Sequence, residues 1–302
     1  MNNQVEHDIT PNSALTPVKQ ARKSGFSIFY QRLKKNKAAL IGGYLILFFI
    51  FVAIVGPLFV NPEDYHKVRF DIKLQTPSAD HWFGTNHSGR DIFTGVILGM
   101  RITLIVGFLS VILAAIVGVF LGIIAGYYGG KVDSIIMRIM DVLLAFPGIL
   151  LALAIASVLG GSLTNVIIAV AVFSIPAFAR IVRGSTLSVR NLEYVDAIRA
   201  LGASDMRIIF KHILPNILSP IIVQGTLRIA TAVLTASGLS FLGLGAPPPS
   251  PEWGALLNEG RSYIFDYPHV AFFPGIAIVI VVLAFNIFGD GLRDALDPKS
   301  KK

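Results

Sequence analysis

"EYVDAIRALGASDMRIIFKHILPN", residues 193–216, gathers Glu193, Asp196, Arg199, Asp205, Arg207, Lys211 and His212 into one stretch of a chain that is 54% hydrophobic and 15% charged. What flanks this interruption decides the fold. With 21 Phe among 302 residues and a mean hydropathy of +0.68, the chain holds more apolar material than one soluble core can bury. A spanning helix needs about 20 predominantly apolar residues, because the hydrocarbon layer is ~30 Å thick and a helix rises ~1.5 Å per residue. Six stretches meet that length: 38–60, 102–127, 136–159, 165–181, 217–242 and 270–288. The polar stretch falls between the fourth and the fifth. An all-α, polytopic membrane protein with six transmembrane helices is expected. No cleavable signal peptide is expected, since residues 1–37 are polar and no small-residue cleavage pattern follows the first apolar run.

Six crossings leave both termini on one side, and the basic residues say which. Of the 26 Lys and Arg, nineteen fall in the N-terminal tail, the loop around Lys131 and Arg138, the stretch from Arg180 to Lys211, and the C-terminal tail. The alternate loops hold six, beside eight acids. By the positive-inside rule the termini and the polar stretch are expected in the cytoplasm. The remaining one, Arg228, lies inside the fifth span. Within the second span Ala114, Gly118, Gly122 and Gly126 recur every four residues, which puts small side chains on one helix face and allows a neighbouring backbone to approach closely.

The polar stretch itself reads as two short helices at an angle. Tyr194, Ile198 and Leu201 make an apolar stripe that leaves Glu193, Asp196 and Arg199 off it. Gly202 suits the left-handed position that closes a helix. Ser204 is the expected N-cap of a second helix with Met206, Ile209, Phe210 and Ile213 on its apolar face, and Pro215 is expected to stop it. Such an element offers apolar anchors and a charged rim to a groove on a partner. A hairpin resting on the lipid surface is the competing reading. DNA binding fails on context: three acids balance the bases and no dimer or free domain presents the helices, so no nucleic-acid partner is expected.

The spacing Asp196-Ala197-Ile198, then Gly202, then Leu214-Pro215 resembles the EAA loop of ABC importer permeases, with Asp196 in place of the usual Glu and His212 where an Ile would stand. The segments "HWFGTNHSGRDIFTGVILGMRITLIVG" (81–107), "DVLLAFPGILLALA" (141–154), "LSFLGLGAPPPSPEWGALLNEGR" (239–261) and "FNIFGDGLRDALDPK" (285–299) are similar to the second permease subunit of dipeptide, oligopeptide and nickel importers. "FPGILLALA" (146–154) and "NVIIAVAVFSIPAFARIVRG" (165–184) look most like the glutathione-importing branch. The resemblance implies a type I ABC permease fold: a cytoplasmic tail at 1–37, a first helix at 38–60, an extracytoplasmic loop at 61–98, a five-helix core at 99–290 with a coupling loop at 184–216, and a tail at 291–302. It implies that Asp196, Ala197, Gly202, His212, Leu214 and Pro215 belong to a coupling helix seated on a separate ATPase subunit. It also implies a homologous permease partner, two ATP-binding subunits and an extracytoplasmic binding protein. Short peptides, glutathione among them, would be the substrates, moved by alternating access across the bacterial inner membrane. Nickel is the alternative cargo within the family.

No catalytic residue or cofactor is expected. "AGYYGGKV" (125–132) lacks the first Gly and the final Ser or Thr of a phosphate loop and reads as a turn between spans. There is no Gly-x-Ser-x-Gly or His-Glu-x-x-His, and the six histidines have no ligand spacing, so no metal site is expected; His81 and His87 read as surface residues. Zero cysteines remove thiolate and disulfide chemistry. A self-sufficient secondary transporter is disfavoured because no span carries an acid or histidine relay. On the outer side Trp253, after the proline-rich 246–252, reads as an interfacial anchor, and Asp71, Asp80, Asp91, Glu252 and Glu259 are candidates for meeting the binding protein. Arg228 has two readings, a fixed ion pair with Asp141 or a guanidinium lining the translocation pathway.

Overall fold

The computed structural model describes residue 31 and residues 33–296; most of the two terminal tails therefore lies outside the described residues. The chain is helical, in the order α1 (Lys37–Val55), α2 (Pro62–His66), α3 (Ile92–Tyr128), α4 (Gly130–Ala145), α5 (Gly148–Leu159), α6 (Leu163–Arg190), α7 (Glu193–Ala200), α8 (Asp205–Ile208), α9 (Leu214–Phe241), α10 (Trp253–Gly260) and α11 (His269–Leu296). Five segments are long and apolar enough to cross a membrane unaided: α1 with its following turn, α3, α6, the run Asp205–Phe241, and α11. Their starts are set by side chains that satisfy the first free amides. Asn36 accepts from Ala39 N, Asp91 from Thr94 N, and Ser162 from Asn165 N. The Asp91 cap starts α3 ten residues before the apolar run does, within the stretch expected to be loop.

The expected third span, 136–159, is not one helix. It is split into α4 and α5, which meet at 91°. The residue before a proline is pushed out of the helical region, and Phe146 sits at φ −86, ψ 138 ahead of Pro147. The pair still returns the chain across the bundle. Along α3 the glycines 118, 122 and 126 face Phe178, then Ala179 and Val182, then Thr186, so α3 and α6 run in the same direction. Two parallel neighbours require an intervening crossing, which α4 and α5 together supply. α1 runs antiparallel to α11, with Gly42 against Ala284 and Phe288 and Ala39 against Gly291. Residue 33 and Leu296 thus lie at the same end of the bundle.

The small face of α3 is where backbones come closest. A Cβ at Gly122 would stand 2.6 Å from the Ala179 carbonyl oxygen, and one at Gly126 2.7 Å from Thr186 Cβ. Ala114, on the same face, is fully buried. Hydrophobic driving force is weak between helices in lipid, so this van der Waals fit is what holds α3 to α6. We expect Gly122→Leu to overpack the contact at a cost of ~1–3 kcal/mol. A lower melting temperature of the detergent-solubilised subunit would register it, whereas a leucine placed at the lipid-exposed Ile116 should leave the melting temperature unchanged.

Candidate functional site

The expected coupling stretch forms a distinct foot on the bundle. Its buried side chains are Val195 from α7, Ile208 from α8, Ile209 and Ile213 from the following turn, and Ile217 from α9. They cluster with Ile123 and Tyr127 of α3 and Val182 of α6, apart from the main apolar core. The two expected stripes therefore divide. Ile209 and Ile213 face inward and Ile198 packs against the cluster, while Leu201 is 87%, Met206 61% and Phe210 59% exposed; Val195 and Ile208, on neither expected stripe, are fully buried. Gly202 has φ +82, a left-handed conformation that a β-branched residue adopts only under strain; its amide donates to Arg199 O and that of Ala203 to Ile198 O, closing α7. Ser204 precedes α8 in extended conformation, without a side-chain capping bond.

Pro215 does not stop the second helix. Residues 205–241 form one continuous helical run, in which 209–213 widen into a π turn before Leu214 resumes the α form. Proline has no amide proton to donate, and widening the ladder by one residue accommodates that loss. The His212 carbonyl also accepts from the Asn216 side chain, at 2.6 Å. Leu214 and Pro215 are thus part of a rigid column from foot to span, and Asp196, Ala197 and Gly202 lie on the elbow before it.

Polar ties at this end of the bundle, none of them visible in sequence, join the foot to α3, and α6 to α4 and to α3. Tyr127 Oη donates to Asp205 Oδ1 at 2.6 Å, and the Arg199 guanidinium lies 5.9 Å over the Tyr127 ring while pairing with Asp196 at 3.0 Å. Arg183 on α6 grips Asp133 at the start of α4 with two hydrogen bonds of 2.5 and 2.6 Å. Arg190 donates to the Gly126 carbonyl. Tyr127 and Asp205 are 78 positions apart, so no local pattern announces them. An aromatic pair, Tyr127-Tyr128, at the end of a span was the one available signal, and it suggested only an interface residue. The glycine turn at 125–132 joins α3 to α4 through Gly129 and Gly130, both at positive φ.

Elsewhere the structure redistributes the expected roles. Asp141 does not pair with Arg228; it binds Arg180 at 2.5 Å. Arg180 comes from the adjacent α6, a shorter reach than α9 allows. Arg228 has no ion-pair or hydrogen-bond partner among the described residues. Trp253 is no interfacial anchor: it is fully buried, with Nε1 donating to Val96 O at 2.9 Å and its amide to Thr103 Oγ1. Glu252 is 1% exposed, because its carboxylate accepts from the Gly254 and Ala255 amides at the start of α10. Glu259 is buried against Arg90 and Asn86, and burial pushes its carboxyl up from the usual range. Asp91 caps α3 and pairs with His81 at 2.9 Å. Of the five outer acids only Asp71 and Asp80 remain exposed. Among the described residues no three His, Cys, Asp or Glu side chains come together as a metal would need.

Residues 118–302, the stretch that holds the foot and the last four crossings, match the family described as "Binding-protein-dependent transport system inner membrane component". The chain belongs to that family. Residues 24–77 match a second description, "N-terminal TM domain of oligopeptide transport permease C". The dipeptide transport system permease protein DppC of Alkalihalophilus pseudofirmus is 50% identical over 291 residues, 96% of this chain and 95% of its own. The glutathione transport system permease protein GsiD of Pectobacterium atrosepticum is 49% identical over 273 residues, covering 90% and 91%. The inward-facing MetNI methionine ABC transporter shares the fold, with a TM-score of 0.56 over 68% of this chain and 98% of that one, at 22% identity. The chain is thus the membrane permease of an ABC importer, an inner-membrane component working with ATP-binding and substrate-binding proteins. It is not itself an enzyme, ATP hydrolysis lying in the separate subunits.

Losing the Tyr127–Asp205 bond should loosen the foot selectively. Tyr127→Phe keeps the ring under Arg199 and removes one hydrogen bond, worth ~1 kcal/mol net. Amide exchange over 195–213 is expected to rise about fivefold, with α1 and α11 unchanged; exchange mass spectrometry of the purified permease reads both.

Proposed function

We propose that this permease moves short peptides, glutathione among them, into the cell by alternating access, and that residues 184–216 are the coupling loop. The observation that carries the coupling role is the foot: apolar side chains at Leu201, Met206 and Phe210 stand exposed on a base tied to α3, α6 and α9. An ATPase subunit that grips such a base moves three spans together. Asp196, Ala197, Gly202, His212, Leu214 and Pro215 form the elbow and column of that base. Basic residues concentrate at the end of the bundle that holds the foot, which supports a cytoplasmic foot and cytoplasmic termini. A homologous permease, two ATP-binding subunits and an extracytoplasmic binding protein complete the assembly. The substrate class rests on the names of the dipeptide and glutathione permeases to which half of the sequence is identical.

A strain lacking this gene and its complemented parent, given labelled dipeptides, glutathione and Ni²⁺ in parallel, test the cargo. Peptide or glutathione uptake that follows the gene is the expected result. Uptake of Ni²⁺ alone would replace the peptide reading by the metal one.

Gly202→Val tests the coupling loop. A Cβ at Gly202 meets nothing within 4 Å, so the substitution acts through the backbone alone, straining positive φ by ~1–3 kcal/mol. Membrane insertion and subunit level should stay near normal while transport is lost and the ATPase subunits dissociate or idle. Full uptake by a well-expressed variant would remove the docking role from this elbow.

A further inference from the structure

Between α6, α9 and α11 lies a cleft of about 620 Å³, at the end of the bundle that carries the foot. Arg180, Ser185 and Ser188 line it from α6, Ser219 and Gln224 from α9, and Arg293 from α11; no Asp or Glu lines it. Arg180 shares its charge with Asp141, but Arg293 is exposed and has no ion-pair partner among the described residues. Gly184 leaves one wall open, for a Cβ there would meet nothing within 4 Å. Beyond the cleft, polar side chains continue along α9. Gln224, Arg228, Thr231 and Thr235 follow at i, i+4, i+7 and i+11, on one face of the helix.

Lipid tails cannot solvate these groups. A single arginine near the centre of a span costs ~2.5–3.5 kcal/mol on insertion scales, and Arg228 has no side-chain partner to offset it. Water filling the cleft and following the polar face resolves that cost. Low-dielectric walls around basic groups focus a positive potential, which concentrates anions. The guanidinium fork matches a carboxylate with two parallel hydrogen bonds, and its wide exposure at Arg293 keeps the interaction weak enough to release.

From this geometry we infer that the polar face of α9 and the cleft it leads into form an anion-binding exit path, along which Arg228 on that face and then Arg293 in the cleft receive the terminal carboxylate of the peptide in transit. The inference rests on the peptide-import reading above. It assigns to the permease a share in substrate selection, in addition to whatever the binding protein selects.

The absence of cysteine from the chain makes the test direct. Gly184→Cys places one thiol in this subunit, at a position with room for it. The assembled transporter in phosphatidylcholine nanodiscs is treated with an anionic methanethiosulfonate or a cationic one, and labelling is read on this subunit after separation. The anionic reagent should react several-fold faster, and adding Arg228→Met and Arg293→Gln should bring the two rates together. A millimolar dipeptide with a free carboxylate should slow labelling several-fold, while its C-terminal amide should not. Equal rates for the two reagents, or no reaction with either in a transport-competent assembly, would overturn the anion site. Protection by added phosphatidylglycerol but not by peptide would assign it to a lipid headgroup and overturn the inference as well. Charge-selective labelling in a transporter that imports no peptide would instead overturn the parent reading, and the uptake assay separates the two.

Discussion

The close approach of α3 to α6 is the contact on which the rest of the bundle depends. Three glycines let the two backbones touch over two turns, in parallel. Parallel neighbours joined by a short segment need a return crossing, and the chain makes it with the bent pair α4 and α5 rather than a straight helix. Arg183 and Asp133 then fasten the start of α4 to α6 at the same end as the foot. Because helix association in lipid gains little from the hydrophobic effect, the geometry of these contacts decides the arrangement.

The polar groups are distributed by the same logic. At the end away from the foot, Glu252 supplies the N-cap of α10, Trp253 donates to the α3 backbone, and Glu259 sits with Asn86 and Arg90 under residues 61–91. These groups are buried and bonded to one another, so they hold the cap together and are not free to meet a partner. At the opposite end, exposure rises: the foot presents Leu201, Met206 and Phe210, and the cleft presents Arg180 and Arg293. One end is closed. The other is open and carries exposed apolar and basic side chains beside its ion pairs.

The π turn at 209–213 joins these two ends mechanically. A proline that terminated the helix at 215 would leave the foot hinged to α9. Widening the ladder by one residue keeps the run continuous from Asp205 to Phe241, with the Asn216 side chain bonded back to the His212 carbonyl. Movement of the foot is thereby carried into the helix that holds Arg228.

The sequence by itself determined the membrane class, five of the six crossings, the small face of α3, the left-handed Gly202 and the family. The first four follow from local composition or periodicity: apolar length sets a span, and a residue without Cβ sets a close approach or a positive φ; the family follows from the resemblance of whole segments such as 81–107 and 239–261. Only the tertiary structure decided which side chains meet. Asp141 chose Arg180 over Arg228, Trp253 and Glu252 turned inward, and Tyr127 found Asp205 across 78 positions. Pro147 broke a span that hydropathy shows as continuous, while Pro215 broke nothing. Partner choice depends on which helices become neighbours, and a proline's effect depends on whether its surroundings can satisfy the carbonyls it frees; neither quantity is written in any window of the chain.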